Sequence, residues 1–410
     1  MSKLDNLKFE DPKFQDKDMT RRDFVKTAST ALAMTAASSI IPTFAIGGMA
    51  PVKVGVLLPF TGTYAKLGSH ILDAMKMRIA QNGDKLGGRK VDFTVIDSEM
   101  NVPKSTQRVN KLLKKEKANF IIGPVHSGIG INMARMLKDK KVIVVVPNAG
   151  ANQITGELCA QNIFRTSFTS WQTAYPAGQV MLKEGYKKVA LLYWNYAFGK
   201  QTAAAFQESF IPGGGEIVAD IPTPFPKTEF QSFFTKIAAI KPDAVFTFYS
   251  GGGAIKFMKD YAAAGLQGKI PLWGTFLTEG TSRQAGAAAE GIKTTLHYST
   301  ELENATNRKF KVDFKKATGD DADVFAVQGY DAGSLLIQGM DAVGGDTDAI
   351  VDLQNALRSV KIDSPRGTFT FSKANHPIQD IYLREVQGGV NKVIGVAAKA
   401  LEDPAIGCKA

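Results

Sequence analysis

Small polar residues cluster in two loops, and each loop follows a short run of β-branched and aromatic residues. Residues 120–122 precede the loop 123–130, and residues 142–146 precede the loop 147–152. Such runs, bounded by Gly, Pro and Asn, predict buried strands. In an open parallel sheet, ligands bind beyond the carboxyl ends of the strands. The two loops therefore predict one wall of a small-molecule site, formed by His126, Ser127, Asn148, Ala149 and Gly150.

The residue types that catalysis or metal binding needs do not come together in this sequence. The four histidines, His70, His126, His297 and His376, are isolated and lack metal-ligand spacing. The chain has no Gly-x-Ser-x-Gly motif, and glycines 251–253 lack the Lys-Ser/Thr of a phosphate-binding loop. We therefore predict a binding protein with no cofactor and no metal. A secreted α/β enzyme is the less favoured alternative.

The elements that must position these loops alternate between strands and helices. β-branched runs at 52–58, 91–97 and 120–122 alternate with amphipathic helical segments, which predicts a doubly wound parallel sheet. The pattern restarts after residue 166 as a second unit of the same kind. A chain of 410 residues is also too long to fold around one compact core, which indicates two domains. Loops at strand ends add three cleft candidates, namely Tyr64, Tyr196 and Phe198.

The first 45 residues have the pattern of an export signal. Residues 20–26 read Thr-Arg-Arg-Asp-Phe-Val-Lys, and an uncharged, Ala-rich run follows to Phe44. A basic start, a modest apolar run and a small-x-small site predict a cleaved signal peptide, cut near Ala45. The motif is similar to the twin-arginine export signal, from which only Val25 departs. The similarity implies the twin-arginine machinery as a partner and a periplasmic protein.

Charge and cysteine content narrow the possible partners. The chain has 50 Lys and Arg against 39 Asp and Glu, a net charge of +11. These basic residues are spread along the sequence, so we predict no nucleic-acid binding. The two cysteines, Cys159 and Cys408, predict a disulfide in an oxidising compartment. Two free buried thiols are the alternative.

The order and spacing of several short segments resemble a known family. Val54-Gly55-Val56-Leu57-Leu58-Pro59-Phe60, Ile121-Ile122-Gly123-Pro124, Val146-Pro147-Asn148-Ala149-Gly150, Phe164-Arg165-Thr166 and Gly329-Tyr330-Asp331-Ala332 are the main markers. Residues 52–400 resemble the periplasmic solute-binding proteins of branched-chain amino acid and amide ABC transporters. The resemblance implies two α/β lobes of the type I periplasmic-binding-protein fold, joined by three hinge crossings. It also implies permease subunits as partners, and we expect a monomer.

The same resemblance divides the mature chain and its site between the lobes. Residues 51–166 plus 298–367 would form lobe one, and 167–297 plus 368–410 lobe two. In amino acid binders, a hydroxyl and loop amides of lobe one hold the ligand carboxylate. The matching residue is Ser127, beside His126. The loop after the fourth strand gives backbone carbonyls and a hydroxyl to ligand polar groups; here it comprises Asn148, Ala149 and Gly150, and Gly150 replaces the expected Thr.

Lobe two departs from the amino acid binders at the position that holds the ammonium group. Two tyrosine positions align with Phe198 and Ser250, and the acidic position aligns with Phe276. A buried ammonium without a carboxylate is costly. The substitution therefore implies an aromatic acid, such as a benzoate or hydroxycinnamate derivative. An amino acid or amide ligand is the alternative, because a shifted loop could bring Glu279 to the acidic position. A sensor domain of the same fold also stays open.

Overall fold

The computed structural model describes residues 50–409. The predicted signal peptide at 1–45, with its twin-arginine motif and cleavage site, lies outside this range. Within the described range, no helix combines the length and the apolar character needed to cross a membrane.

The first lobe is built on one mainly parallel sheet. Its strands are β1 (Val52–Leu58), β2 (Lys85–Leu86), β3 (Arg89–Asp97), β4 (Phe120–Ile122), β5 (Ile143–Val146) and β6 (Ile163–Arg165). They lie in the order β2-β3-β1-β4-β5-β6, and only the β2–β3 pair is antiparallel. The helices between them are α1 (Ala65–Ala80), α2 (Val102–Asn110) and α3 (Ser127–Leu137). β4 and β5 are buried along their whole length, as expected for inner parallel strands covered on both faces.

The second lobe repeats this architecture and adds an antiparallel edge. Its helices are α4 (Ser170–Lys183), α5 (Ala197–Phe210), α6 (Gln231–Ile240), α7 (Gly251–Ala263) and α8 (Ser282–Ala285). Its parallel strands are β7 (Lys188–Trp194), β8 (Glu216–Thr223), β9 (Ala244–Phe248), β10 (Leu272–Gly274) and β11 (Lys293–Leu296).

Helices α9 (Ala305–Thr318), α10 (Val324–Ala342) and α11 (Ile350–Ser359) return to the first lobe, where α9 and α10 pack against α1. The chain then rejoins the second sheet as β12 (Thr370–Phe371), β13 (Pro377–Gln387) and β14 (Val390–Leu401). β13 is antiparallel to β11, β12 and β14. The chain thus passes between the lobes after β6, after β11 and after α11.

A buried arginine fastens two of these crossings together. Arg366, in the third crossing, donates to the carbonyl oxygens of Thr166 (2.7 Å) and Ser167 (2.9 Å) in the first. Its Nε lies 3.2 Å from the carboxylate of Asp331 on α10, and both side chains are buried. Because a rigid fork of donors holds two separate segments, the crossings are fixed relative to each other.

The C-terminal tail, residues 402–409, leaves the second sheet and returns to the first lobe. Cys408 forms a disulfide with Cys159, which lies between β5 and β6, and their Cα atoms are 5.4 Å apart. Asp403 accepts a hydrogen bond from the Thr169 hydroxyl at the start of α4. The sequence-based boundary assigned 368–410 to lobe two. The tail contacts both lobes, since Cys408 is bonded to lobe one and Asp403 to Thr169 of lobe two.

Breaking this disulfide is expected to destabilise the protein. The bond spans 249 residues, and loop-closure entropy then predicts a loss near the top of the usual range of about 2–5 kcal/mol. Because it holds a terminal segment that can detach first, we expect Cys408→Ser to lower the free energy of unfolding by about 2–4 kcal/mol. Urea denaturation without reductant measures this. Cys159→Ser is the matched control and should give the same loss. Wild-type stability in both variants would contradict the prediction.

Candidate functional site

A small cavity lies between the lobes, beyond the carboxyl ends of the parallel strands. Ligand sites of this fold type are expected at that edge. Aromatic side chains dominate the lining, with one asparagine, one serine and one glycine. The lining residues are Tyr64, Leu67, Val125, Asn148, Gly150, Phe168, Tyr196, Phe198, Phe248, Ser250, Phe276 and Phe325.

Four phenylalanines form a continuous wall through edge-on and tilted contacts. The ring of Phe198 packs edge-on to Phe168 (centroids 5.8 Å apart), Phe248 (4.5 Å) and Phe276 (5.8 Å). Phe168 also contacts Phe276, with centroids 4.5 Å apart. Aromatic pairs in such geometries contribute about 0.5–1.5 kcal/mol beyond burial of their area. The wall therefore offers flat, apolar faces and ring edges to a planar ligand.

Backbone conformation aims Phe276 into the cavity. Phe276 follows strand β10 and has φ +59°, in the left-handed region that bulky residues rarely adopt. The side chain is nevertheless buried, with 3% of its surface exposed. Strained backbone of this kind clusters at ligand sites, where the surrounding structure holds it in place.

Several polar side chains at the cavity form hydrogen bonds with other protein groups. The Asn148 side-chain amide donates to Gln328 Oε1 at 2.7 Å. The hydroxyls of Tyr64, in lobe one, and Tyr196, in lobe two, lie 3.1 Å apart. Burial raises the pKa of both tyrosines, and for Tyr64 the Tyr196 hydroxyl raises it further. Both phenols therefore stay neutral at physiological pH.

His126 lies behind the cavity wall, and its ring does not line the cavity. The residue caps helix α3, and its Nδ1 accepts the Gly128 N–H at 3.1 Å. This fixes the proton on Nε2 whenever the imidazole is neutral. The ring stacks on Tyr196 of the other lobe, with centroids 4.7 Å apart. Burial lowers the pKa of His126 to about 4.

Ser127 and Ala149 are also buried beside the cavity without lining it. Ser127 is the first residue of α3, and 1% of its surface is exposed. The Ala149 carbonyl accepts a hydrogen bond from Arg165, and its side chain belongs to the core of lobe one. Seven of the ten predicted cleft residues thus line the cavity: Tyr64, Asn148, Gly150, Tyr196, Phe198, Ser250 and Phe276.

Glu279 does not replace the missing acid. Its carboxylate lies 2.7 Å from Arg384 Nη2 and also accepts from Asn391 at 3.3 Å. Burial raises the pKa of Glu279 and the Arg384 charge lowers it. The side chain lines a separate polar cavity. Among the described residues, the central cavity is lined by no carboxylate.

Five lining residues were not predicted as ligand contacts. Phe168 and Phe248 lie at or just beyond the ends of β6 and β9, so the strand-end rule could have found them. Leu67 and Val125 lie near predicted contacts in the chain. Phe325 comes from helix α10, and no feature of the sequence marks it as a lining residue. Residues 50–409 contain no group of three His, Cys, Asp or Glu side chains placed to hold a metal ion.

Two parallel-sheet lobes, three crossings and a cavity between the lobes define a two-lobed solute-binding protein. Residues 51–391 match the periplasmic binding protein family, and the chain belongs to this family. The predicted family and the predicted fold class are therefore confirmed.

Relatives of known structure agree with this assignment. A solute-binding protein of an ABC transporter from R. palustris, solved in complex with benzoate, is 47% identical with a TM-score of 0.86, and the match covers 88% of this chain and 100% of that one. A second, from Rhodopseudomonas palustris BisB5 in complex with 3,4-dihydroxybenzoic acid, is 32% identical with a TM-score of 0.82 and coverages of 86% and 99%. The Leu/Ile/Val-binding protein homolog 6 of Brucella melitensis is 32% identical over 82% of this chain and 87% of its own length.

Proposed function

We propose that this protein is the exported substrate-binding component of an ABC importer and that it captures a benzoate-type aromatic carboxylate between its lobes. The observation that carries the proposal is the cavity lining, which has seven aromatic side chains and no carboxylate within the described chain. An aromatic ring fits these faces. The ammonium group of an amino acid would be buried there without a counter-charge, at a cost of several kcal/mol.

The polarity of the cavity favours the same ligand class. Asn148, Ser250 and the backbone at Gly150 supply neutral polar groups for a carboxylate. The relatives solved with benzoate and 3,4-dihydroxybenzoic acid support this proposal.

Calorimetry on ligand-free protein tests the proposal. The panel consists of benzoate, 4-hydroxybenzoate, 3,4-dihydroxybenzoate and leucine. We expect at least one aromatic acid to bind with a Kd on the order of micromolar or tighter, about −8 kcal/mol, and leucine to bind far more weakly. The bound acid should be recovered chemically unchanged, and scattering should show closure. Tight leucine binding without aromatic-acid binding would instead support the second candidate, an amino acid receptor, which the relationship to the Brucella protein favours.

Ligand affinity is expected to fall in acid because closure buries His126. His126 is in lobe one, and Tyr196 of lobe two covers its ring. Opening of the lobes exposes the ring, so the pKa of His126 moves back towards its ordinary value of about 6.5. Burial in this conformation lowers the pKa of His126 to about 4, so the conformation with the lobes in contact excludes the proton. The contribution of His126 to closure is therefore complete above pH 6.5 and is lost as the pH falls towards 4. We expect benzoate affinity to fall from pH 7 to pH 5 by up to about 20-fold, the limit for a pKa that returns fully to 6.5 on opening.

His126→Asn is the matched control for this pH effect. Asparagine retains the helix-capping function and does not titrate. Its benzoate affinity should change less than about threefold over the same range, where benzoate stays largely ionised. An equally steep pH profile in this variant would show that another group is responsible.

A further inference from the structure

The loop that follows β5 is held with its carbonyl groups turned away from the cavity. Arg165 donates to the carbonyl oxygens of Ala149 and Ala151, the latter at 2.8 Å. The carbonyl oxygen of Gly150 accepts from the backbone N–H (2.7 Å) and the hydroxyl (2.8 Å) of Ser170. Three consecutive carbonyls of a wall loop thus already have donors.

This arrangement leaves backbone N–H groups of the same loop as donors for a ligand. Gly150 lines the cavity, and a Cβ there would meet the rings of Phe198 and Phe168 at 2.4 Å and 2.7 Å. Only a residue without a side chain brings the backbone this close to the aromatic wall. Within residues 50–409, the N–H groups of Gly150 and Ala151 donate to no protein acceptor. A backbone N–H is an effective donor to a carboxylate.

Arg165 is also a buried cation without an ion-pair partner in the described chain. Its side chain is fully buried, and it donates to Phe168 O (3.0 Å) and Thr155 Oγ1 (3.3 Å) in addition to the loop carbonyls. The charge of Asp403, in the C-terminal tail, raises the pKa of Arg165. The Asp403 carboxylate itself accepts a hydrogen bond from the Thr169 hydroxyl. Burial lowers the pKa of Arg165 to about 10, so the guanidinium stays charged at neutral pH. A buried charge of this kind is costly unless an opposite charge comes near.

We propose that Arg165 is a positioning residue for the ligand carboxylate. Its hydrogen bonds orient the loop so that the N–H groups of Gly150 and Ala151 face the cavity, and its charge attracts an anion from behind them. Asp403 opposes this attraction. The inference rests on the proposed function, and it assigns the carboxylate of the aromatic acid to the Gly150 side of the cavity.

Variants of Arg165 and Asp403 are expected to shift affinity in opposite directions. Arg165→Gln should weaken benzoate at least tenfold more than it weakens benzamide, the uncharged analogue. Arg165→Lys retains the charge and should recover most of that difference. Asp403→Asn should strengthen benzoate binding about two- to fivefold, since it removes the opposing charge. Calorimetry gives the Kd values, and circular dichroism checks the fold.

The outcomes separate this inference from the proposed function. Equal losses for benzoate and benzamide in Arg165→Gln would overturn the inference and leave aromatic-acid binding intact. If Arg165→Gln does not fold, or if benzamide binds too weakly to compare, Asp403→Asn decides: a gain in benzoate affinity supports the inference, and no change or a loss overturns it. Failure of the wild-type protein to bind any aromatic acid would overturn the proposed function itself.

Discussion

Replacing Phe276 by aspartate is expected to weaken benzoate binding by about a thousandfold or more, equivalent to about 4 kcal/mol. The variant removes a ring that contacts both Phe168 and Phe198 and places a carboxylate in an apolar cavity beside an anionic ligand. Desolvation and like-charge repulsion act in the same direction. The backbone is not the obstacle, because aspartate adopts the left-handed φ of this position more readily than phenylalanine. Calorimetry on the folded variant measures the loss.

Phe276→Asn separates the charge from the shape. Asparagine has nearly the same size as aspartate and equally tolerates the left-handed backbone. We expect it to lose only the packing of the ring, a weakening of about 10- to 100-fold. A Phe276→Asp variant that binds benzoate within tenfold of wild type would show that this ring does not contact the ligand. A variant that instead gained leucine binding would show that the acid alone sets the ligand class.

The sequence predicts one wall of the cavity well because that wall obeys a local rule. Asn148 and Gly150 follow a buried strand directly, and parallel strands bring their carboxyl ends to one edge of the sheet. Phe198 lies in the corresponding position after β7 in the second lobe. At these positions, strand type and loop composition together are sufficient for the prediction.

Other parts of the site depend on contacts between distant segments. Phe325 reaches the cavity from α10, after the chain has returned from the second lobe. The partner of Glu279 is Arg384 on β13, an antiparallel strand near the end of the chain. Without this pairing, the sequence leaves open whether the carboxylate faces the ligand. Likewise, the capping bond to Gly128 turns the His126 ring away from the cavity. The place of His126 in the sequence does not decide whether its ring caps the helix or contacts the ligand.

Removing the Arg366 side chain is expected to cause the largest loss of stability. Arg366→Met leaves Asp331 buried on α10 without its cation and the Thr166 carbonyl without its donor, and together these losses should cost about 3–5 kcal/mol. The Ser167 carbonyl loses one donor and keeps the other, Gln379 Nε2 at 2.8 Å. Ser364 still donates to Asp331 at 3.0 Å, which compensates only in part. Urea denaturation of ligand-free protein at pH 7 measures the change.

The pH dependence of this loss tests its cause. Burial already raises the pKa of Asp331 to about 7 although Arg366 lowers it, and without Arg366 the pKa rises further. A carboxyl group whose folded pKa is raised is penalised as the pH rises, so the loss in Arg366→Met should be smaller at pH 5 than at pH 7. The double variant Asp331→Asn/Arg366→Met carries no buried charge and should recover about 1–2 kcal/mol at pH 7. A pH-independent loss with no recovery would assign the role of Arg366 to its hydrogen bonds with the first crossing, and the ion pair would then contribute little to holding the hinge.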